Sequence, residues 1–488
     1  MTVSADSICF SSATELARLI RTREVSARAA MTAFLERIAD LNPRLNAIVA
    51  RRDEAACLAD ADAADGAIAR GDAVGPLHGL PIAIKDLEPA AGLRWTRGSL
   101  AYKDEVAVDD SAIVSRIKRA GAIVIGKTNV PEFGMGSHTY NKVYGTTKNP
   151  WDLTKTAGGS SGGAAAAIAS GMLPLADGSD FGGSLRNPAN FTNIVGMRPS
   201  FGLVPDDPNP LPGVGFGVKG PMARTVDDVA LLLSVLCDDP RYVQDPRITN
   251  SSHVHNPLIL SVSKDEPRLT TRSGRAVTVA WSPDLGSLPV DPGVRASVDA
   301  QRAVFESLGC RVEDAHPDFS GVDEFFMTIR QARSWRTLGP LLARHRDVIK
   351  PEAVWEIESG AAITDAQLAD AQRRHRDFIE QMRYFHERYD FLVCVVNQVP
   401  PFDASGDWPH AIAGVAMENY ISWMKSAYWI SATFGPAISV PAGFTSDGLP
   451  VGIQIAGARG NDAGVLTMAR AFERATRVGS RHPEFRAS

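Results

Sequence analysis

Apolar positions recur along this chain with two different periods. Near the start, Leu16, Leu19 and Ile20 share one helical face behind the capping-box pattern Ser12-Ala-Thr-Glu15. Met31, Phe34, Leu35 and Ile38 follow at i, i+3, i+4, i+7, and Asn42-Pro43 is expected to end that second helix. Residues 54–73, rich in Ala and Asp, predict an exposed helix. The texture then changes. Leu80–Ile84 and Ala122–Ile125 are short apolar runs bounded by Gly or Pro, as buried strands are, with helical spacing over Ala112–Ala120 between them. Strand, helix, strand predicts a sheet with crossover helices.

Residues 145–222 are dense in Gly, Ser, Asn and Pro, and periodicity there is weak apart from an Ala-rich helix over 163–170. So long a glycine-rich tract inside a compact protein is usually functional. A helix over Val226–Leu236 leads into a polar stretch, 239–275, that reads as a loop or insertion. A second series follows: a strand over Ala276–Ala280, a helix over 292–308, long helices near 320–390, and strands over Phe391–Val396 and Ala437–Val440. No linker or internal repeat divides the chain, which predicts one large α/β unit.

Composition narrows the function. Across 488 residues, 51 Lys+Arg stand against 56 Asp+Glu, a formal net charge of −5 without long like-charge blocks. That excludes a non-specific grip on nucleic acid or on an anionic membrane, both of which need clustered cations. A hydrophobic share of 44% with 22% charged residues excludes disorder, coiled coil and collagen. Cys9, Cys57, Cys237, Cys310 and Cys394 are scattered, making neither a disulfide framework nor a CxxC metal site, and read as reduced core thiols. The opening MTVSADSICF lacks a basic start and an apolar stretch, and runs such as Val229–Leu233 fall far short of the roughly 20 residues that cross a bilayer. The expectation is a cytoplasmic protein that binds no membrane.

Three motifs fail on context. Gly121–Thr128 matches the Walker A letters, but Ala-Ile-Val-Ile between its glycines is strand-like and Asn129-Val-Pro131 interrupts any following helix. Gly159-Ser-Ser161-Gly-Gly163 fits a nucleophile elbow without the buried strand that must precede one. Gly213-Val-Gly215-Phe-Gly217 lacks dinucleotide-fingerprint spacing and reads as a loop. His375 and His386 lie on a charged helical stretch and are expected at the solvated surface.

Three segments remain. Gly79–Asp86 places Lys85 at the end of an apolar strand, where an ammonium is costly. Keeping that amine neutral near pH 7 takes roughly 4–5 kcal/mol, within the reach of burial; the bland alternative is a lysine that snorkels or pairs with Asp86. Gly158–Gly163 brings two hydroxyls between paired glycines directly ahead of a helix, which a flexible connector would not do. Asp180-Phe-Gly-Gly-Ser184-Leu-Arg186 can turn several N–H groups into one concavity, although a tight surface turn would look the same.

Together these segments resemble the amidase signature family, the serine hydrolases that include fatty acid amide hydrolase, bacterial amidases and the A-type chain of glutamyl-tRNA amidotransferase. The 24-residue separation of Ser160 and Ser184 is the family's, and Gly126–Asn129, Gly220-Pro221, Ala223–Thr225, Pro441–Gly443 and Gly448–Gln454 extend the resemblance over most of the chain. It implies an α/β fold with a large mixed twisted β-sheet covered on both faces by helices. It implies one amidase-type domain over 1–488: N-terminal helices to 70, a signature core over 75–230, a variable substrate-pocket region over 240–425, and a C-terminal part of the core over 426–488. By the resemblance Ser184 is the nucleophile, Ser160 a bridging serine entered through a cis peptide bond, and Lys85 the general base. The oxyanion would meet the N–H groups of Phe181, Gly182, Gly183 and Ser184, with Asp180, Arg186 and Ser161 in support. No metal or organic cofactor is expected.

The expected substrate is a small, partly hydrophobic carboxylic amide, with aryl-acyl amides first and esters or carbamates possible at the same serine. Phe133, Met135, Tyr140, Trp335 and Trp423 are candidates for its wall, against the alternative that each is ordinary core or surface. The expected assembly is a monomer or homodimer. Residues 187–193, Asn-Pro-Ala-Asn-Phe-Thr-Asn, depart from the smaller, Cys-containing segment typical of the A-type transamidase chains. The A-type chain of a tRNA-dependent amidotransferase stays as one alternative, and an idle binding protein on the same fold as another.

Overall fold

A computed structural model describes residues 4–206, 211, 214–239, 258–262, 267–271 and 274–485. Hydroxyls of Ser4, Ser12 and Ser26 open the first three helices, α1 (Ala5–Phe10), α2 (Ala13–Arg21) and α3 (Ala27–Leu45), each accepting from the N–H three residues on. Pro43 does not end α3 as expected. It sits in the last turn, where it removes only one ladder bond, and the helix stops where Asn46 turns left-handed at φ 53°. Helix α4 (Glu54–Arg70) is largely exposed but buries Cys57, Ala61 and Ala64.

The first predicted strand–helix–strand unit is present. Strands β1 (Ile48–Val49), β2 (Pro81–Lys85) and β3 (Ile123–Thr128) form a small sheet in the order β1-β3-β2, with β2 and β3 parallel across α5 (Ala112–Arg119). The Walker-like Gly126-Lys127-Thr128 lies within β3, all of it buried, so no phosphate-binding loop forms there.

The Gly-rich tract is more regular than its sequence suggests. It supplies β4 (Leu175–Asp180), β5 (Val195–Arg198) and β6 (Val218–Ala223), besides α6 (Gly162–Ala169) and α7 (Arg186–Thr192). Strand β4 runs antiparallel to β6 with Asp177 opposite Pro221 and Asp180 opposite Val218. With β7 (Thr278–Trp281), β8 (Arg311–Asp314), β9 (Phe391–Val395), β10 (Ala437–Phe444) and β11 (Pro450–Gly457) they form one mixed sheet, ordered β8-β7-β9-β11-β10-β5-β6-β4. The β7 pairs are parallel and the rest antiparallel.

Helix α8 (Val226–Cys237) follows β6 as expected. The helix expected over 292–308 is two, α9 (Pro292–Asp299) and α10 (Arg302–Ser307). Then come α11 (Val322–His345), α12 (Pro351–Ala361), α13 (Asp365–Arg388), α14 (Lys425–Ala432) and α15 (Asp462–Thr476). Within the stretch 239–275 the described residues form a two-stranded ladder, Leu258–Val262 with Pro267–Thr271; Gly213 and residues 240–257 lie outside the described residues. His375 is not at the surface: it is 7% exposed, bonds the Ala432 carbonyl at 2.8 Å and packs against Phe216, Phe325 and Phe434. His386 is half-buried against the Tyr389 carbonyl. Both rings sit on the inward stripe of α13, which the surrounding charges hide in the sequence.

Two apolar cores result. One joins α2, α3, α6, α8 and α15 to the sheets through residues such as Phe34, Ile168, Leu232 and Phe472. The other is aromatic and lies among α11 to α14, with Phe216, Phe326, Trp423 and Tyr428. Leu185 belongs to the first and Phe191 to the second, so the segment that begins at Ser184 lies where the two meet. Among the described residues no helix is long and apolar enough to cross a membrane.

Candidate active site

Strand β2 is buried along its whole length, and its last residue carries an amine into that interior. Lys85 Nζ lies 2.8 Å from Ser160 Oγ, 2.8 Å from Ser161 Oγ, and 3.0 and 3.3 Å from the hydroxyl and carbonyl of Ser179. A neutral amine has two donors and one lone pair, so it can accept from one hydroxyl while donating to the others. Burial pushes the Lys85 pKa down to about 7, with Asp177 the strongest influence opposing it. The amine is therefore available unprotonated near neutral pH.

Two glycine requirements shape the serine loop. Gly158 turns at φ 78°, and a Cβ on Gly163 would clash with the Asn129 nitrogen and come 2.6 Å from the Ala47 carbonyl. That close approach seats the start of α6 against the backbone around β1 and β3. The Gly159–Ser160 peptide bond is cis. The next N–H, of Ser161, donates to the Ser184 carbonyl at 3.2 Å, which joins the serine loop to the segment after β4.

In that segment Ser184 is partly exposed while Ser160 and Ser161 are buried, so of the three hydroxyls Ser184's is the one in reach of solvent. Asp180 organises the loop around it. One carboxyl oxygen accepts from Gly183 N at 2.8 Å, the other from Leu185 N at 3.2 Å, and Arg186 binds both at 3.0 Å. Burial alone would raise this carboxyl; Arg186 and Arg198 override it and hold Asp180 well below the usual carboxylate range. The Gly183 N–H is thus already engaged, whereas those of Phe181, Gly182 and Ser184 make no hydrogen bond among the described residues. Asp180 and Arg186, expected in support of the loop, pair with each other. Arg198, which also bonds the Asp180 carbonyl at 2.6 Å, was not singled out by any motif.

The candidate wall residues divide. Tyr140 and Trp423 line one small cavity together with Gly136, Ser137, Lys350 and Tyr420. Met135 is buried beside it and accepts from Lys350 Nζ at 2.6 Å, while Phe133 packs edge-on against Tyr102. Ser137 bonds the Gly159 carbonyl and receives the Asn187 amide at 3.0 Å, which ties this wall to the serine loop. Trp335 stands apart: it is 40% exposed on α11, against Gly339 and Gly360. Sequence reasoning also missed Lys350, buried with its pKa lowered by that burial, and Asp177, whose Oδ1 accepts from Lys85 N at 3.0 Å. Neither carries a motif signal: Lys350 sits among other charges and Asp177 beside a second aspartate, Asp180.

A buried amine in contact with three serine residues, beside an ordered loop of main-chain donors, is an arrangement suited to hydrolase chemistry. Residues 29–466 match the family model described as Amidase, and the chain belongs to that family of hydrolases. It is similar to an acylamidase of Rhodococcus erythropolis, 33% identical over 95% of this chain and 94% of the relative. It is 32% identical to the A-type chain of the glutamyl-tRNA(Gln) amidotransferase of Moorella thermoacetica, over 96% of this chain and 97% of that one. A solved bacterial aryl acylamidase of the amidase signature family superposes with a TM-score of 0.84 at 29% identity, covering 96% of this chain and 97% of its own.

Proposed function

We propose that this chain hydrolyses small, partly hydrophobic carboxylic amides, aryl-acyl amides first, through an acyl-Ser184 intermediate. Neutral Lys85 accepts a proton from Ser160 Oγ, which accepts one from Ser184 Oγ as that oxygen attacks the amide carbonyl. The N–H groups of Phe181, Gly182 and Ser184 stabilise the oxyanion. As the tetrahedral intermediate collapses, Ser160 delivers a proton to the leaving nitrogen; water, deprotonated by the same relay, then releases the acid. The observation that carries the reading is the 2.8 Å contact of a fully buried lysine amine with Ser160 Oγ.

Substrate class rests on the wall. Trp423, which lines the small cavity, is backed by Phe191 stacked parallel at 6.3 Å and by Phe402 edge-on at 5.3 Å, aromatic surroundings that favour an apolar acyl or anilide group. The acylamidase likeness points the same way. The departures at residues 187–193 and the lack of clustered cations weigh against a tRNA-linked role. A stoichiometric fluorophosphonate adduct mapping to Ser184, abolished by Ser184→Ala, tests the nucleophile. A screen of the purified single chain against anilides, aliphatic amides, ureas and carbamates tests the class: no turnover until partner chains are added would favour the amidotransferase.

A further inference from the structure

We propose that Asp177 is a positioning residue whose carboxyl is uncharged in the working enzyme, anchoring the Lys85 main chain without supplying the negative charge that would keep the amine protonated. The proposal rests on the reading of Lys85 as general base.

The geometry comes first. Asp177 is fully buried on β4 and reaches across to β2, where its Oδ1 takes the Lys85 N–H at 3.0 Å. Its Oδ2 is sealed from solvent and has no hydrogen-bond partner among the described residues. A carboxylate left with a bare oxygen in the interior is far costlier than a carboxylic acid in the same place.

The surrounding charges leave Asp177 without a counter-ion of its own among the described residues. From β3, buried Lys127 faces Asp86 at 3.7 Å and donates to the Glu88 carbonyl. From β6, Lys219 is ion-paired with Glu88 and lies 3.7 Å from Asp206 at the rim. Farther along β4, Asp180 is held by Arg186 and Arg198. Each of these carboxylates has a cation; the charges that bear on Asp177 are Lys127, already engaged by Asp86, and Lys85, whose amine is turned instead to Ser160, Ser161 and Ser179. When that amine is neutral, as a base must be, an ionised Asp177 would be left with the pull of Lys127, already engaged by Asp86, against the repulsion of the Glu88 carboxylate.

The ionisation tendencies bear on both groups: a charged Asp177 is the strongest influence that would raise Lys85 against burial, and an uncharged carboxyl removes it. Burial, reinforced by Glu88, raises Asp177 to about 6, and the Lys85 charge is among the influences holding it down. Loss of the Lys85 charge leaves the Lys85 N–H bond and the Lys127 charge opposing burial and Glu88, so a neutral amine favours a protonated carboxyl. No proton passes between them; the coupling is electrostatic.

The test is the acid limb of kcat/KM against pH for Asp177→Asn, which fixes the side chain in its uncharged form and preserves the acceptor. The expected result is a limb at the wild-type position. Removing a real negative charge from beside the amine would instead move the limb down by about one pH unit or more, and that shift would overturn the proposal. The infrared difference spectrum, wild type minus Asp177→Asn at neutral pH, is expected to contain a carboxylic-acid C=O band; carboxylate bands alone would also overturn it. If the asparagine variant does not fold, Asp177→Ser, smaller and equally uncharged, serves in both measurements. Asp177→Leu, uncharged but unable to accept the Lys85 N–H, is expected to lower kcat about tenfold or more with the limb unmoved; wild-type kcat would remove the anchoring role. Failure of these tests while Lys85→Ala is inactive sinks the proposal alone, whereas an active Lys85→Ala sinks the base assignment beneath it.

Discussion

At the scale of single residues, the decisive quantity is the charge on one amine. Lys85 was legible through the family resemblance of the motif around it; the lysine at the end of the apolar run Leu80–Ile84 left a snorkelling or Asp86-paired reading open, and the fold buries it completely. Because burial brings its pKa to about 7, the protonated form dominates below that value and the base is lost as pH falls. We therefore expect kcat/KM to decline by about tenfold per pH unit on the acid side of neutrality. Lys85→Ala should lower amide turnover by at least roughly 10²-fold, as loss of a general base does, and flatten that limb. Steady-state kinetics across pH read both effects, and a variant within tenfold of wild type would contradict the role. Asp177 was not legible, since Leu-Ala-Asp-Gly-Ser-Asp carries no pattern that separates one aspartate from the other. Only the packing of β4 against β2, and of Arg186 and Arg198 against its end, gives each its task.

At the scale of elements, the glycines that looked like punctuation are contact points. Strands β4 to β6 escaped the hydrophobic pattern because they are nearly all buried and built partly from Gly, Ser and Asp, so neighbouring strands rather than alternation fix them. Conversely, Pro43 and the charged face of α13 were over-read as a stop and as a solvated surface. Helix α6 shows what small residues do here: all eight of its positions are buried, and at Gly163 the approach to Asn129 and Ala47 is backbone to backbone. A methyl there has no flexible neighbour to displace. Gly163→Ala should cost about 1–3 kcal/mol or more by shifting α6, and with it Ser160 and Ser161, off the Lys85 amine. Unfolding midpoints and fluorophosphonate labelling rates should fall together; a stable variant with normal labelling would show that the loop does not depend on this seat.

At the scale of the whole molecule, residues from five elements meet in one buried ionic knot. Arg186 of α7 binds Asp180 of β4, the Ala427 carbonyl and Ser431 hydroxyl of α14, and Gln454 of β11, while Arg198 of β5 closes the other side of Asp180. The family resemblance pointed to Asp180 and Arg186 as support for the loop but not to their partners, because contacts over more than 200 residues leave no local trace. The knot joins the strand that leads into the candidate oxyanion donors to the inner strands β5 and β11 of the large sheet and to the aromatic core. Arg186→Met keeps much of the volume but breaks bonds to four groups and leaves Asp180 with Arg198 as its remaining cation. Because both partners are sealed from solvent, neither water nor salt can substitute. We expect a loss of about 3–5 kcal/mol in denaturant unfolding, little changed by added salt, together with slowed labelling of Ser184. The exposed pair Arg383–Glu387, with side chains 51% and 61% accessible, is the control: Arg383→Ala should move stability by no more than about 0.5 kcal/mol. Equal effects from the two substitutions would mean that the knot contributes no more than a surface contact, and that the Ser184 loop is held by its own turn instead.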